Sequence, residues 1–363
     1  MASILTAPLG LLGQPLFTGP LLLALTSGPE ALRGPLLHQL ESFITKIGVS
    51  SITTPRVITA LKVLLALGLG RRVNRALNAW ALNNWRWRAQ TDKWTWNWEV
   101  AVVTGGSSGI GLETVRLLSR KGVKVAVLDI QDLPESVQNY SNIKFFYCDV
   151  TSPDSISEAA AAVRKTWDHP SILINNAGIG GPHSLVEMPT AWVSKIFTIN
   201  IVSHFWLIKE FLPNMIAKDK GHIVGLASMA SWVAPPGIVD YAATKAAVTA
   251  LHEGLNMEIR HLYKTPGVLN TIVHPSWVRT PLVGGFEDHL EKTQGGLMKP
   301  EWIAQKIVKQ IVSCRGGQLI IPSKLASATR LRGEANWIQE LIRDFAVGGA
   351  ASEFPDQAKK AAK

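Results

Sequence analysis

Between Val100 and Pro322 the chain keeps one rhythm. Short apolar runs at 100–106, 124–132, 144–150, 171–178, 222–229, 268–275 and 317–322 are rich in Val, Ile and Leu. Longer stretches separate them. In 111–122 (GLETVRLLSRKG) and 154–167 (DSISEAAAAVRKTW) apolar residues return every three or four positions. The short runs predict strands and the longer stretches helices. Strands that are apolar throughout, without alternation, are buried on both faces. Their regular alternation with helices predicts an α/β domain, a doubly wound parallel sheet with helices on both faces.

The first 98 residues follow a different pattern. Residues 1–29 carry no charged side chain, but Pro8, Pro15 and Pro20 interrupt them. Without a basic leader this is a poor signal peptide, and without arginines a poor transit peptide. A second apolar run, VITALKVLLALGLG, lies between Arg56 and Arg71. Fourteen helical residues reach about 21 Å, short of the roughly 30 Å hydrocarbon core of a bilayer. Arginines then alternate with Trp80, Trp85, Trp87, Trp94, Trp96 and Trp98. Tryptophan with arginine suits a membrane interface. The expected division is a membrane-associated extension at 1–98, a catalytic domain at 99–325, and a helical extension with a frayed tail at 326–363.

Charge sharpens this division. Of 363 residues, 47% are hydrophobic and 18% charged, so a large core is available. The net charge is +10, but residues 1–97 hold ten Lys/Arg against three Asp/Glu, leaving about +3 on the rest. A basic segment beside apolar stretches fits an anionic lipid surface. No zinc-finger spacing or RNA-binding aromatic motif supports nucleic acid. Cys148 and Cys314 are the only cysteines, which is no disulfide framework. His183, His204, His222 and His274 show no metal-ligand spacing; no metal is expected.

The first strand runs directly into TGGSSGIG, 104–111. The familiar G-x-G-x-x-G spacing is absent; Gly105, Gly109 and Gly111 give G-x-x-x-G-x-G. A glycine-bearing turn between a strand and a helix is where a pyrophosphate sits, because the helix amino end offers unpaired N–H groups and a positive dipole. Eighteen residues beyond Gly111, Asp129 ends the second strand. A carboxylate there can accept both adenosine ribose hydroxyls and would repel a 2′-phosphate. Ser107 and Ser108 offer no cation to that phosphate. Both features favour NAD over NADP.

TGGSSGIG (104–111), NNAG (175–178) and YAATK (241–245), in this order and spacing, resemble the motifs of the classical short-chain dehydrogenase/reductases over about residues 99–325. The resemblance implies a Rossmann-type domain whose loop, with Gly105, Ser107, Ser108, Gly109, Ile110 and Gly111, cradles the dinucleotide. It also implies that Asp149 and Val150 lie beside the adenine, that Asn176, Ala177 and Gly178 flank the cofactor, and that Pro275, Val278 and Thr280 surround the nicotinamide. The family's Pro-Gly is Pro275-Ser276 here, which places a side chain near the carboxamide.

Tyr241 and Lys245 stand at i and i+4, on one helix face. A free tyrosine, with a pKa of about 10, is a poor base at neutral pH, and a nearby ammonium lowers that value. Tyr241 can then take a proton from a substrate hydroxyl as hydride leaves for the nicotinamide. Lys245 can also bond the nicotinamide ribose. Ser228 matches the family's catalytic serine, with Ser231 as an alternative, and Asn200 its helix asparagine that completes a proton relay through water.

Segment 281–300 lies where the family has a mobile lid. Gly284, Gly285, Gly295 and Gly296 suit hinges, and Leu282, Val283, Phe286, Leu297 and Met298, with Trp232, Val233 and Ile238, offer an apolar lining. This favours a lipophilic alcohol or ketone over a sugar. The layout of the amino-terminal extension resembles the membrane-bound branch that contains lipid-droplet 17β-hydroxysteroid dehydrogenases and microsomal retinol dehydrogenases. A homo-oligomer is expected, at the endoplasmic reticulum or lipid droplets, with the catalytic domain facing the cytosol. The alternatives are an NADP-linked keto-reductase of acyl or steroid ketones, which Asp129 opposes, and a catalytically silent scaffold, which has no reason to keep Asn200, Ser228, Tyr241 and Lys245 together.

Overall fold

The computed structural model describes residues 14–47, 53–284, 287, 290–291 and 296–347. The expectations for Pro8, for the hinge and lining residues Gly285, Phe286 and Gly295, and for the tail at 348–363 lie outside the described residues. The chain divides into two compact units, Met1–Ala81 and Leu82–Lys363.

The first unit is helical: α1 Pro15–Ser27, α2 Glu30–Ile47 and α3 Thr54–Leu82, whose last residue crosses the boundary. The prolines do not break α1 as expected. Pro15 occupies the first turn, where its missing N–H costs nothing, and the helix continues through Pro20. The apolar run 57–70 is embedded in the 29-residue α3. That helix is about 44 Å long, but Arg71, Arg72 and Arg75 end its apolar part. Leu16, Leu23, Leu32, Val63, Leu67, Leu69 and Val73 stay exposed.

The second unit is built on seven parallel strands: β1 Val100–Thr104, β2 Lys124–Asp129, β3 Ile143–Tyr147, β4 Ile172–Asn175, β5 Gly221–Leu226, β6 Val268–Pro275 and β7 Gly317–Ile321. Their order is β3-β2-β1-β4-β5-β6-β7. Crossover helices α4 Gly109–Ser119 and α8 Pro300–Val312 cover one face. There Val115, Leu118, Ile303, Ile307 and Ile311 pack with Ala101, Val103, Val127, Ile174 and Val224. On the other face lie α5 Pro153–Trp167 and α6 Thr190–Ala217, the latter with a π turn at Thr198–Val202. Ile156, Ala160, Val163, Leu207, Phe211 and Met215 pack there with Val100, Val102, Leu128, Leu173 and Ile223. Successive strand residues therefore enter opposite cores, which is why the runs are apolar without alternation. Helix α6 is the one helix among the described residues long and apolar enough to cross a membrane, yet Leu207, Ile208, Phe211, Leu212 and Met215 belong to this core, while Val193, Phe197 and Phe205 are exposed. Helix α7 Val239–Met257 carries the Tyr-Lys pair, and α9 Asn336–Val347 follows β7.

Strand order reverses beside β1, between β2 and β4. Loops leaving the carboxyl ends of these strands open a crevice, the usual ligand position in such sheets.

The second compact unit begins at Leu82, ahead of the strand series, and the tryptophan-rich segment explains why. Trp94 is buried in the core, stacks on Trp96 with centroids 5.5 Å apart, and lies under the Lys220 ammonium at 5.0 Å. Of the expected interfacial tryptophans, Trp94 is therefore a core residue and Trp96 packs part-buried against it, whereas Trp85, Trp87 and Trp98 remain exposed. Buried Glu99 accepts from Lys220 and Ser171, both at 2.6 Å, and from the Thr95 amide at 3.0 Å. Asn84, at φ 53°, donates to the Pro266 and Val268 carbonyls, both at 3.1 Å. Asn83 accepts from the Gly316 amide at 3.3 Å.

This docking gives a stability prediction. Asn84→Ala removes two hydrogen bonds and puts alanine, which tolerates the left-handed region less well than asparagine, at φ 53°, and should cost about 3 kcal/mol. Asn84→Gly, which avoids the backbone strain, should cost about half as much. Denaturant unfolding of both variants checks this. Wild-type stability in Asn84→Ala would mean that the segment before β1 does not help hold the domain together.

Candidate active site

The crevice begins with a knot between β1 and β4. The Thr104 hydroxyl accepts from the Asn176 and Ala177 amides at 3.0 and 3.1 Å. The Asn176 side chain donates to the Thr104 and Gly105 carbonyls at 3.0 and 2.9 Å. Sequence reasoning placed Asn176 beside the cofactor; its amide is spent on holding the loop. It missed Thr104 altogether, although a fully buried polar residue closing the run VAVVT was a readable signal.

Each glycine of the loop has its own reason. Gly105 sits at φ 62°, and a β-carbon there would lie 2.9 Å from Ala177 Cα. At Gly111 the added atom would lie 2.1 Å from the Gly105 carbonyl oxygen, so α4 approaches the loop only without a side chain. Gly109, at φ 53°, faces Thr280 at 3.1 Å. The segment after β6 thus folds back onto the glycine loop. Ser108 is the N-cap of α4 but makes no side-chain cap, which leaves the first amides of α4 without a side-chain acceptor at this position. Ile110 packs on the core beneath.

Asp129 lies at the carboxyl end of β2, where its two oxygens accept from the Ser107 and Gln131 amides, both at 3.0 Å. The Ser107 hydroxyl donates to the Gln131 carbonyl at 2.7 Å. The carboxylate is fixed at the loop's edge, with lone pairs left for further donors. Asp149 and Val150 follow β3. One Asp149 oxygen accepts from the Thr151 amide and hydroxyl at 2.9 and 2.8 Å, an occupation the sequence did not reveal.

Tyr241 and Lys245 share one face of α7, with the ammonium 5.5 Å from the Tyr241 ring centroid. Lys245 donates to the Leu226 carbonyl at 2.8 Å. Burial lowers the Lys245 pKa to about 8. Burial raises that of Tyr241 to about 12, against a lowering by its hydrogen bond with Ser228. The expected lowering of Tyr241 by the lysine is not seen: desolvation dominates, and the opposing hydrogen bond comes from Ser228. The Ser228 hydroxyl also accepts from the Ala230 amide at 3.1 Å and donates to the Pro275 carbonyl at 3.4 Å. The alternative, Ser231, donates instead to the Lys245 carbonyl at 2.8 Å, behind the helix.

Asn200 lies in the π turn, fully buried. Its amide exchanges two bonds with the backbone of Ile179, both at 2.9 Å, and donates to Thr244 at 3.2 Å. It fixes the loop after β4 against α7. A β-carbon on Gly178 would sit 3.4 Å from Asn200 Oδ1 and 3.5 Å from Lys245 Nζ. The relay expected of this side chain would have to compete with these bonds.

Ser276 donates its amide to the Ile321 carbonyl at 2.8 Å and does not have the positive φ that would demand glycine. Val278 bridges to Met298, and Thr280 caps the turn against Gly109. Of the expected apolar lining, Leu282 lies near Tyr241, since both border Gly180 at 3.5 and 3.2 Å. Val283 is buried, Met298 packs on the core, and Trp232 meets the His274 ring at a tilt, with centroids 5.5 Å apart.

Comparisons with known proteins identify the family. The family model described as short chain dehydrogenase matches residues 99–291, more than half of the chain. The chain belongs to the short chain dehydrogenase family. It is therefore an NAD(P)-dependent oxidoreductase. The dehydrogenase RED2 of Cochliobolus heterostrophus is 38% identical over 58% of this chain and 78% of its own. Human estradiol 17-beta-dehydrogenase 11 is 30% identical over 64% and 78%. Mouse epidermal retinol dehydrogenase 2 is 30% identical over 59% and 71%. The ligand-free aldohexose dehydrogenase of Thermoplasma acidophilum, at 24% identity, superposes with a TM-score of 0.53 over 61% of this chain and 92% of that one, a likeness of fold alone.

Proposed function

We propose that the protein is an NAD-dependent dehydrogenase of a lipophilic alcohol, with Tyr241 as its general acid/base. The observation that carries this reading is the grouping of part-buried Ser228 and Tyr241 with buried Lys245 beside a glycine loop that leaves the amides of α4 without a side-chain cap. The residues fit a dinucleotide. Gly105, Ser107, Ser108, Gly109, Ile110 and Gly111 would hold the pyrophosphate, Asp129 the adenosine ribose, and Asp149 and Val150 the adenine edge. Asn176, Ala177 and Gly178 would shape the floor, and Pro275, Val278 and Thr280 the nicotinamide end. Bound there, the nicotinamide supplies the hydride acceptor.

The residues of the chain do the rest. Ser228 holds the substrate oxygen beside Tyr241. Lys245 donates to the nicotinamide ribose and, as an ammonium, favours the phenolate. Tyr241 takes the hydroxyl proton during oxidation and returns it during reduction. Asn200 keeps Gly178 and Ile179 against α7. Leu282 near Tyr241, and the relatives named for estradiol and retinol, support an apolar substrate of steroid, retinoid or long-chain alcohol type.

The test is Tyr241→Phe in a screen of retinol, steroids and long-chain alcohols with NAD, followed by absorbance of the reduced cofactor. Turnover should fall by at least about 100-fold, with NADH affinity within about twofold of wild type. Wild-type turnover in the variant would overturn this assignment.

The same reading places the protein on a membrane, at the endoplasmic reticulum or a lipid droplet, and as a homo-oligomer. Its support is the exposed apolar surface of α1 and α3 with Arg71, Arg72 and Arg75 beside it. Cations on that side would put the catalytic unit in the cytosol. Asn139, exposed in the sequon Asn139-Tyr140-Ser141, should then carry no glycan. Full-length protein should sediment with membranes and resist high-salt washing, because apolar insertion is not screened as charge is. Wholly soluble protein would contradict the membrane, and a glycan on Asn139 the orientation.

A further inference from the structure

Behind Lys245 lies a group of buried polar atoms that the chemistry above does not use. Asn175 closes β4, fully buried, and neither its Oδ1 nor its Nδ2 has a partner among the described residues. It points to the same sheet face as Leu173, two residues earlier, which packs with Leu207 and Phe211 of α6. His204 precedes Leu207 by one turn on that face of α6. Its ring is 1% exposed, and both nitrogens lack a partner. Beside Asn175 in the sheet register is Gly225 of β5. A β-carbon on Gly225 would lie 2.0 Å from His252 Nε2, so the imidazole fills the place of a side chain there. That nitrogen too is unpartnered, while Nδ1 is held by Asn270 at 2.5 Å. His252 stands two turns after Lys245 on α7. The charge of Lys245 and that of His252 both act on His204.

Five orphaned polar atoms in one interior place are unusual, since buried polar groups are almost always satisfied by protein or by ordered water. The site is polar and offers several partners, as a buried water requires. Lys245 has the complementary need. It is 3% exposed, and its described hydrogen bond goes to the Leu226 carbonyl alone. The nearest carboxylate along α7, Asp240, accepts from Trp192 at 2.7 Å. A buried ammonium with neither counter-ion nor full hydrogen bonding is costly.

We propose that Asn175, His204 and His252 enclose an internal water site that supplies a further hydrogen-bond acceptor to the Lys245 ammonium, making His204 a positioning residue for Lys245. The imidazole must be neutral to act so. Burial and the charge of Lys245 hold His204 well below the usual histidine range, and burial brings His252 and His274 to about 4. Tyr241, at about 12, lies above the window. Between pH 6 and 10 the group in this cluster that titrates is therefore Lys245, at about 8.

The inference rests on the proposed contact of Lys245 with the nicotinamide ribose, and the test separates the two. NADH affinity of the full-length protein is measured by fluorescence from pH 6 to 10 for the wild type, Lys245→Met, His204→Leu and His204→Gln. The wild type should lose affinity as pH rises through about 8. His204→Leu removes an acceptor of the charged form, so Lys245 deprotonates more readily, and the step should move down by about one pH unit. His204→Gln keeps an acceptor and should restore the wild-type midpoint. The Lys245→Met variant should show no step. A step that survives in Lys245→Met would overturn the ribose contact. A step lost there but unmoved in His204→Leu would overturn the role of His204, as would a Gln variant displaced as far as Leu. A high-resolution crystal structure should show water bonded to His204 and Asn175, and a dry site would overturn the proposal even if the Leu variant failed to fold.

Discussion

The site depends on how closely the backbone can approach itself where strand order reverses. Thr104 and Asn176 tie β1 to β4 through four hydrogen bonds. That knot sets the Gly105 carbonyl against Gly111, at a spacing that leaves no room for a β-carbon. From this contact α4 takes its direction, and with it the amides at its amino end. The loop after β6 then closes on Gly109 through Thr280. The loops proposed to hold the phosphates and the nicotinamide thus share one mechanical origin. The glycine spacing reads first as a backbone-packing requirement and only second as room for a ligand.

The protonation states of the proposed catalytic groups are set by desolvation. The interior around α7 holds an ammonium and three neutral imidazoles, and burial moves every one of them towards its uncharged form. The same burial raises Tyr241. A phenol that is hard to ionise and an ammonium that is easy to neutralise lie on one helix face. Either state of the pair is therefore sensitive to a single added hydrogen bond or charge, which suits a reaction that runs by moving one proton.

Much of this was legible in the sequence because it follows from periodicity. Seven apolar runs become seven strands in the expected parallel sheet, and the glycine, NNAG and Tyr-x-x-x-Lys motifs converge at its carboxyl edge. What stayed hidden depends on contacts distant in sequence. Trp94 looked like an interfacial residue because the ammonium that covers it, Lys220, lies over a hundred residues away in sequence. The prolines of α1 looked like breaks because the position of Pro15 within the first turn is not visible in composition. The commitment of Asn176 to Thr104 and Gly105, and of Asn200 to Ile179 and Thr244, needs three dimensions. So does the harmlessness of Ser276, which turns on a backbone angle.

The central claim is that this crevice binds NAD, with Asp129 reading the adenosine ribose. The most direct measurement is a calorimetric titration of the full-length protein with NADH and with NADPH at one ionic strength. The account predicts saturable binding of NADH and weaker binding of NADPH by at least about tenfold, or 1.4 kcal/mol, because the Asp129 carboxylate would face the added phosphate. Equal affinities, or a preference for NADPH, would contradict it.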